Sequence, residues 1–140
     1  MKPALLDTDI FSEILKAKNP VVLAHVTNYR AAFGRLTISA ITVMEIVQGL
    51  QHMNRREAVQ KFLDGLNGSQ VLGFDRKCAE TAGRIYGDLL RTGQPIGRAD
   101  PMIAATAIQN GLVLVTGNTA HYERISKLGY ILELENWREE

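Results

Sequence analysis

Asp100-Pro101-Met102-Ile103-Ala104-Ala105-Thr106-Ala107 runs to Asn110-Gly111, and Leu112-Val113-Leu114-Val115-Thr116 follows at once. An aspartate and a proline open the first segment as a helix, and an asparagine–glycine pair closes it. Its alanines leave no bulk on the surface, so such a helix can pack very close to a sheet. The second segment is apolar without interruption, as expected of a strand covered on both faces. A helix that delivers a buried strand is one unit of an α/β fold.

The same alternation extends in both directions. Ala4–Leu6, Leu36–Ser39, Gln70–Phe74 and Val113–Thr116 read as continuous buried strands, and Tyr130–Leu134 as an edge strand. Helices separate them. One starts near Phe11 behind the acidic turn Asp7-Thr8-Asp9. One is capped by Asn19, with Pro20 in its first turn, and reaches about Arg30. Others run from Thr42 to Gln51, from Arg55 to Leu66, and from the cap Asp75 to Thr92-Gly93. A short one covers Ala120–Ile125. Strand–helix alternation from end to end implies one domain over residues 1–140, with a five-stranded mostly parallel sheet and helices on both faces.

The bulk numbers exclude several classes. A chain of 140 residues, 46% hydrophobic and 22% charged, builds an ordinary core without staples. A formal net charge of +1 gives no global field for a polyanion, so any such site must come from local clustering. Cys78 is the only cysteine and reads as a small core residue. No apolar run approaches the roughly 20 residues of a membrane span, and the expected location is the cytoplasm. No HExxH, CxxC, GxxxxGK[ST] or GxSxG motif occurs.

In open parallel sheets the active crevice lies beyond the carboxyl ends of the strands. Asp7 closes the first strand there, and Asp100 begins the helix that enters the fourth. Asn118 follows that fourth strand. Glu45 lies within the helix after the second strand, on the side away from the Val43, Ile46, Val47 and Leu50 stripe. A solvent-facing glutamate is its default, yet Ile41 and Met44 beside it are apolar, which would leave it partly buried. Asp7 and Asp100 also have a plain structural use as helix caps. His121 reads as a lone surface histidine. Carboxylates that converge repel one another, and a divalent cation relieves that repulsion. An all-oxygen donor set selects Mg²⁺ or Mn²⁺, which suits phosphodiester hydrolysis. Arg98, two residues before Asp100, is a candidate contact for a substrate phosphate or for an acidic group of a partner.

The chain resembles the PIN-domain ribonucleases, specifically VapC-type toxins. The resemblance rests on Leu5-Leu6-Asp7-Thr8-Asp9, on Ser39-Ala40-Ile41-Thr42-Val43-Met44-Glu45-Ile46, and on Pro95-Ile96-Gly97 leading to Asp100-Pro101-Met102-Ile103-Ala104-Ala105. It rests also on Leu114-Val115-Thr116-Gly117-Asn118-Thr119 and on Leu134-Glu135-Asn136-Trp137. It implies a Mg²⁺- or Mn²⁺-dependent endoribonuclease with Asp7, Glu45 and Asp100 as its acids and Asn118 at the fourth polar position. Asp7 and Asp100 would be the chief metal ligands. Many such proteins carry an acid at that fourth position or three residues later, where this chain has His121, so its acidic complement is reduced. Asp9 stands where Asn or Ser is common and adds a negative charge. The resemblance further implies a cognate antitoxin and a homodimer. Two rival readings are a phosphate-handling domain, either a haloacid-dehalogenase-like phosphatase or a receiver, and a non-catalytic PIN scaffold. The phosphate-handling families need a lysine after the late strand, and none stands after Thr116 in a suitable place.

Overall fold

A computed structural model describes residues 1–140. The strands are β1 (Ala4–Leu6), β2 (Leu36–Ser39), β3 (Ser69–Leu72), β4 (Val113–Val115) and β5 (Leu134–Glu135). The helices are α1 (Thr8–Lys16), α2 (Pro20–Phe33), α3 (Ala40–His52), α4 (Arg56–Asp64), α5 (Arg76–Arg91), α6 (Ala99–Gln109) and α7 (Thr119–Ser126). Every strand pair is parallel. β1, β4 and β5 form one hydrogen-bonded group, and β2 and β3 another.

The two groups meet between β1 and β2. There the Tyr29 hydroxyl from α2 takes the place of a neighbouring strand: the Ala4 N–H donates to it at 3.0 Å, and it donates to the Ala4 carbonyl at 3.3 Å. A phenol thus satisfies a buried peptide group that the ladder leaves open.

Alternation along the central strands feeds two cores. Leu5 and Leu114 point to one face, against Ile85, Leu89, Ile103 and the fully buried Ala104, Ala105 and Ala107. Ala4, Leu6, Val113 and Val115 point to the other, against Ile10, Phe11, Val22, Tyr29 and Trp137. The alanine-rich face of α6 therefore lies on the sheet as its composition requires. Cys78 is buried on α5.

Several boundaries differ from the sequence expectation. The edge strand expected at Tyr130–Leu134 is only Leu134–Glu135. It has one neighbour, held through Leu114 N–H to Glu133 O and Thr116 N–H to Glu135 O, both 2.9 Å, while Ile131 projects into solvent. β3 is the opposite edge, ends at Leu72 rather than Phe74, and is half-exposed, because β2 is its only partner. The helix expected from Arg55 to Leu66 ends at Asp64 and tightens into a 3₁₀ turn over Gly65–Gly68. α1 starts at Thr8 rather than Phe11, because Asp7 itself caps it. α2 runs to Phe33, past Arg30, and α3 starts at Ala40 with Ser39 as its cap.

Replacing Tyr29 with Phe should keep the ring packing and strand the Ala4 peptide. The expected loss is about 1–3 kcal/mol in urea unfolding with an unchanged m-value. A stability within about 0.3 kcal/mol of the natural chain would show that the hydroxyl is dispensable.

Candidate active site

Asp7 ends β1 and caps α1 in one step. Its backbone N–H donates to Val115 O of β4 at 2.9 Å, which continues the ladder. Its Oδ1 accepts from the Ile10 N–H at 2.8 Å. The side chain is almost fully buried. Desolvation pushes its carboxyl from 3.8 up to about 6, while hydrogen bonds from Thr116 and the Ile10 N–H oppose the shift; Asp9 and Asp100 push it up further. Asp7 is therefore both a helix cap and a strained acid.

Asp100 is not the cap that the Asp–Pro pair suggests. α6 begins one residue earlier, at Ala99, and Arg98 holds the cap position without a side-chain bond. The Asp100 carboxylate turns instead toward α7. Its Oδ2 lies 2.8 Å from His121 Nε2, and its Oδ1 accepts from the Tyr122 hydroxyl at 3.1 Å. His121 Nε2 also approaches Ile96 O at 3.3 Å, which ties the loop before α6 to the site. The surface reading of His121 is thus corrected. It and Tyr122 stand in the first turn of the helix behind β4, on the same crevice as the acids. Burial above all, then the charges of Asp100, Asp7 and Glu45, push the Tyr122 phenol far up, so it stays a donor.

Glu45 is not a solvent-facing residue either. It is half-buried, and the Thr8 hydroxyl donates to its Oε1 at 2.5 Å. Thr8 in turn lies 3.0 Å from the Thr42 hydroxyl. The helical wheel misplaces Glu45 because α1, reached through Thr8, covers that side of α3. Burial raises its carboxyl, Thr8 lowers it, and the charges of Asp100 and Asp9 raise it again.

Asp7, Glu45 and Asp100 all act on Tyr122, and Asp9 acts on both Asp7 and Glu45. The expected acids therefore stand close enough for their charges to act on one another. Asn118 lies two residues beyond Thr116, which bonds Asp7. Its N–H donates to the Thr116 hydroxyl at 3.0 Å, but its exposed side chain does not cap α7. Arg98 lies above the Tyr86 ring, 5.9 Å from its centre.

The donor set is hard oxygen throughout. No three acidic, histidine or cysteine side chains close into a cage for a metal. Such an open arrangement fits an ion held by one or two carboxylates that keeps much of its water, as Mg²⁺ does.

A sheet of this order with acids gathered at the carboxyl ends of its strands defines a PIN nuclease fold. The PIN domain model matches residues 4–128, and the chain belongs to that family, within its VapC branch. It is 33% identical over 134 residues to the tRNA(fMet)-specific endonuclease VapC of Shigella flexneri, covering 95% of this chain and 96% of that protein. It is 32% identical to ribonuclease VapC2 of Haemophilus influenzae, covering 95% and 96%. Among solved structures it resembles the DNA-bound VapBC of Salmonella typhimurium, with a TM-score of 0.81, 31% identity and coverage of 98% and 99%.

The raised Asp7 carboxyl has a consequence for stability. Between pH 3.8 and about 6 the folded chain holds a proton that the unfolded chain has lost. Without divalent cation, the contribution of Asp7 to stability should therefore be full below pH 3.8 and be lost as pH rises through about 6, by on the order of 3 kcal/mol. Asp7→Asn keeps a capping oxygen and should flatten that fall, leaving the variant more stable than the natural chain at pH 7 without metal. Chemical denaturation from pH 4 to 8 in a chelator reads both; parallel curves would remove Asp7 as the strained group.

Proposed function

We propose that this chain is a divalent-metal-dependent endoribonuclease that hydrolyses RNA phosphodiesters, and the toxin of a VapBC-type toxin–antitoxin pair. One observation supports the reading: Asp7, Glu45 and Asp100 all act electrostatically on the buried Tyr122, within a chain that aligns over 95% of its length with a VapC endonuclease.

Asp7 and Asp100 would hold the ion, Mg²⁺ or Mn²⁺. Bound there, it supplies charge neutralisation at the phosphoryl oxygens and acidifies a water. Glu45 would take a proton from that water, with its carboxylate oriented by the Thr8 hydroxyl. His121 and Tyr122 fix the Asp100 carboxylate by one bond to each oxygen. Asn118, neutral and exposed, orients water or phosphate, and Arg98 offers a cation to the RNA backbone. With no acid at position 118 or 121, one ion binds well and a second only weakly, completed by substrate phosphate.

The name of the Shigella relative makes transfer RNA the first substrate to test. The VapBC structures make a VapB-type antitoxin the partner. A groove between α1, α3 and α4 suits it, with Phe11, Leu15, Leu50 and Phe62 as apolar lining and Lys16 and Lys61 at the edge. No helix is long and apolar enough to cross a membrane. The chain acts in the cytoplasm, as a homodimer.

The phosphate-handling alternative is not favoured. Asp75, which follows the third strand, spends its carboxylate on capping α5 through the Cys78 N–H at 2.9 Å.

Cleavage of total RNA and of purified transfer RNA, with and without Mg²⁺ and with ends mapped, tests the reading. Discrete cuts that need the metal support it; no cleavage under any divalent ion contradicts it. Glu45→Gln should fold like the natural chain and lose about 10²–10⁴-fold in rate. Near-natural rates would return Glu45 to a structural role.

A further inference from the structure

The C-terminal segment puts a cation beside the pocket that the nuclease reading does not use. Trp137 is buried against Tyr29 and His25 and anchors the segment. The next residue, Arg138, reaches back over the sheet. Its Nε donates to Glu13 Oε2 of α1 at 2.7 Å. Its guanidinium lies against Gly117, filling the space that any side chain there would need. Gly117 stands between Thr116, which bonds Asp7, and Asn118. Only a residue without Cβ lets the guanidinium lie this close to the turn behind β4.

Arg138 also forms one wall of an open cleft with Asp9, Glu13, Lys16, Lys18 and Asn19. Three cations face two acids there, in a chain whose net charge is only +1. Charged and polar side chains line most of the cleft, with Pro20 and Val21 as its apolar residues. Asp9, two residues after Asp7, lines this cleft, and Arg138 itself lies against Gly117, between Thr116 and Asn118, so the cleft adjoins the acidic residues. An open, locally positive trough beside a group of acids fits a flexible polyanion.

We propose that Arg138, with Lys16 and Lys18, binds backbone phosphates of the RNA strand on one side of the scissile bond. The proposal rests on the ribonuclease reading and extends it. Glu13 is the counter-ion that holds Arg138 in place when the cleft is empty. Arg98, at the start of α6, offers a second cation from a separate element, two residues before Asp100. That arrangement relieves an electrostatic conflict: a carboxylate pocket repels the phosphates it must cut, and flanking cations offset the repulsion without entering it.

The test uses the full chain and a short 2′-O-methyl oligoribonucleotide, which binds without being cut. Arg138→Ala should weaken binding about tenfold. It should also lower the slope of log affinity against log salt by about 0.7. In cleavage assays its KM should rise while kcat stays near the natural value. Arg138→Lys keeps the charge and should restore most of the salt slope. Glu13→Gln should tighten binding, and should do so less when Arg138 is already alanine; a purely structural ion pair gives no such coupling. Unchanged oligonucleotide affinity and salt slope in Arg138→Ala would overturn the proposal, including the case in which only antitoxin affinity falls and the cleft belongs to a protein interface. A natural chain that cuts RNA while Arg138→Ala matches it defeats this inference alone. A natural chain that neither binds nor cuts RNA defeats the ribonuclease reading with it.

Discussion

Carboxylates of like charge, gathered in one pocket and partly withdrawn from water, are the constraint on which the rest of this structure depends. Asp7 is the extreme case: nearly buried, faced by Asp9 and Asp100, and pushed up to about 6. Each acid is held by donors from an element other than its own strand or helix. The turn behind β4 brings Thr116 to Asp7, α1 brings Thr8 to Glu45, and α7 brings His121 and Tyr122 to Asp100. The hydrogen bonds lower the cost of crowding without abolishing it. The remainder is offset by the two apolar cores on either face of the sheet, and a bound cation would relieve it at its source.

Strand–helix alternation was legible along the whole chain because buried parallel strands leave continuous apolar runs, and the caps at Asn19-Pro20 and Asp75 announce helix starts. Legibility failed at the sheet edges. Tyr130 to Glu133 carries an apolar pattern, but pairing depends on a neighbour that sequence periodicity does not reveal. The three acids were legible as candidates from their places in the strand–helix order. Their partners were not. Thr8, His121 and Tyr122 are ordinary residues until the fold brings α1 against α3 and α7 against α6, and such long-range pairs leave no local pattern. Asp100 shows the limit most clearly: its Asp–Pro context argues for a cap, yet helix α6 starts one residue earlier and frees the carboxylate for the pocket. Arg138 escaped notice for the same reason, because its position over Gly117 depends on the C-terminal segment folding back across the sheet.

The net charge of only +1 and the nucleic-acid chemistry are compatible once charge is read locally. The acids cluster together, while Arg98 stands at the start of α6 and Arg138 lines the cleft beside α1 with Lys16 and Lys18. The arrangement separates two tasks that conflict electrostatically, holding a cation and approaching a polyanion. Stability follows the same division. The central strands and the alanine face of α6 are fully buried and rigidly packed. The candidate site residues sit instead at the end of β1 and in the helices α3, α6 and α7 that pack against the sheet.

The central claim is that a divalent cation replaces the proton that burial and like charge hold on Asp7. Calorimetric titration of Mg²⁺ or Mn²⁺ into the metal-free chain, repeated in buffers of different ionisation enthalpy, counts the protons displaced. The account predicts one ion per chain with release of about half a proton near pH 6, falling toward none at pH 8. Binding with no proton release at pH 6, or no binding at all, would contradict it.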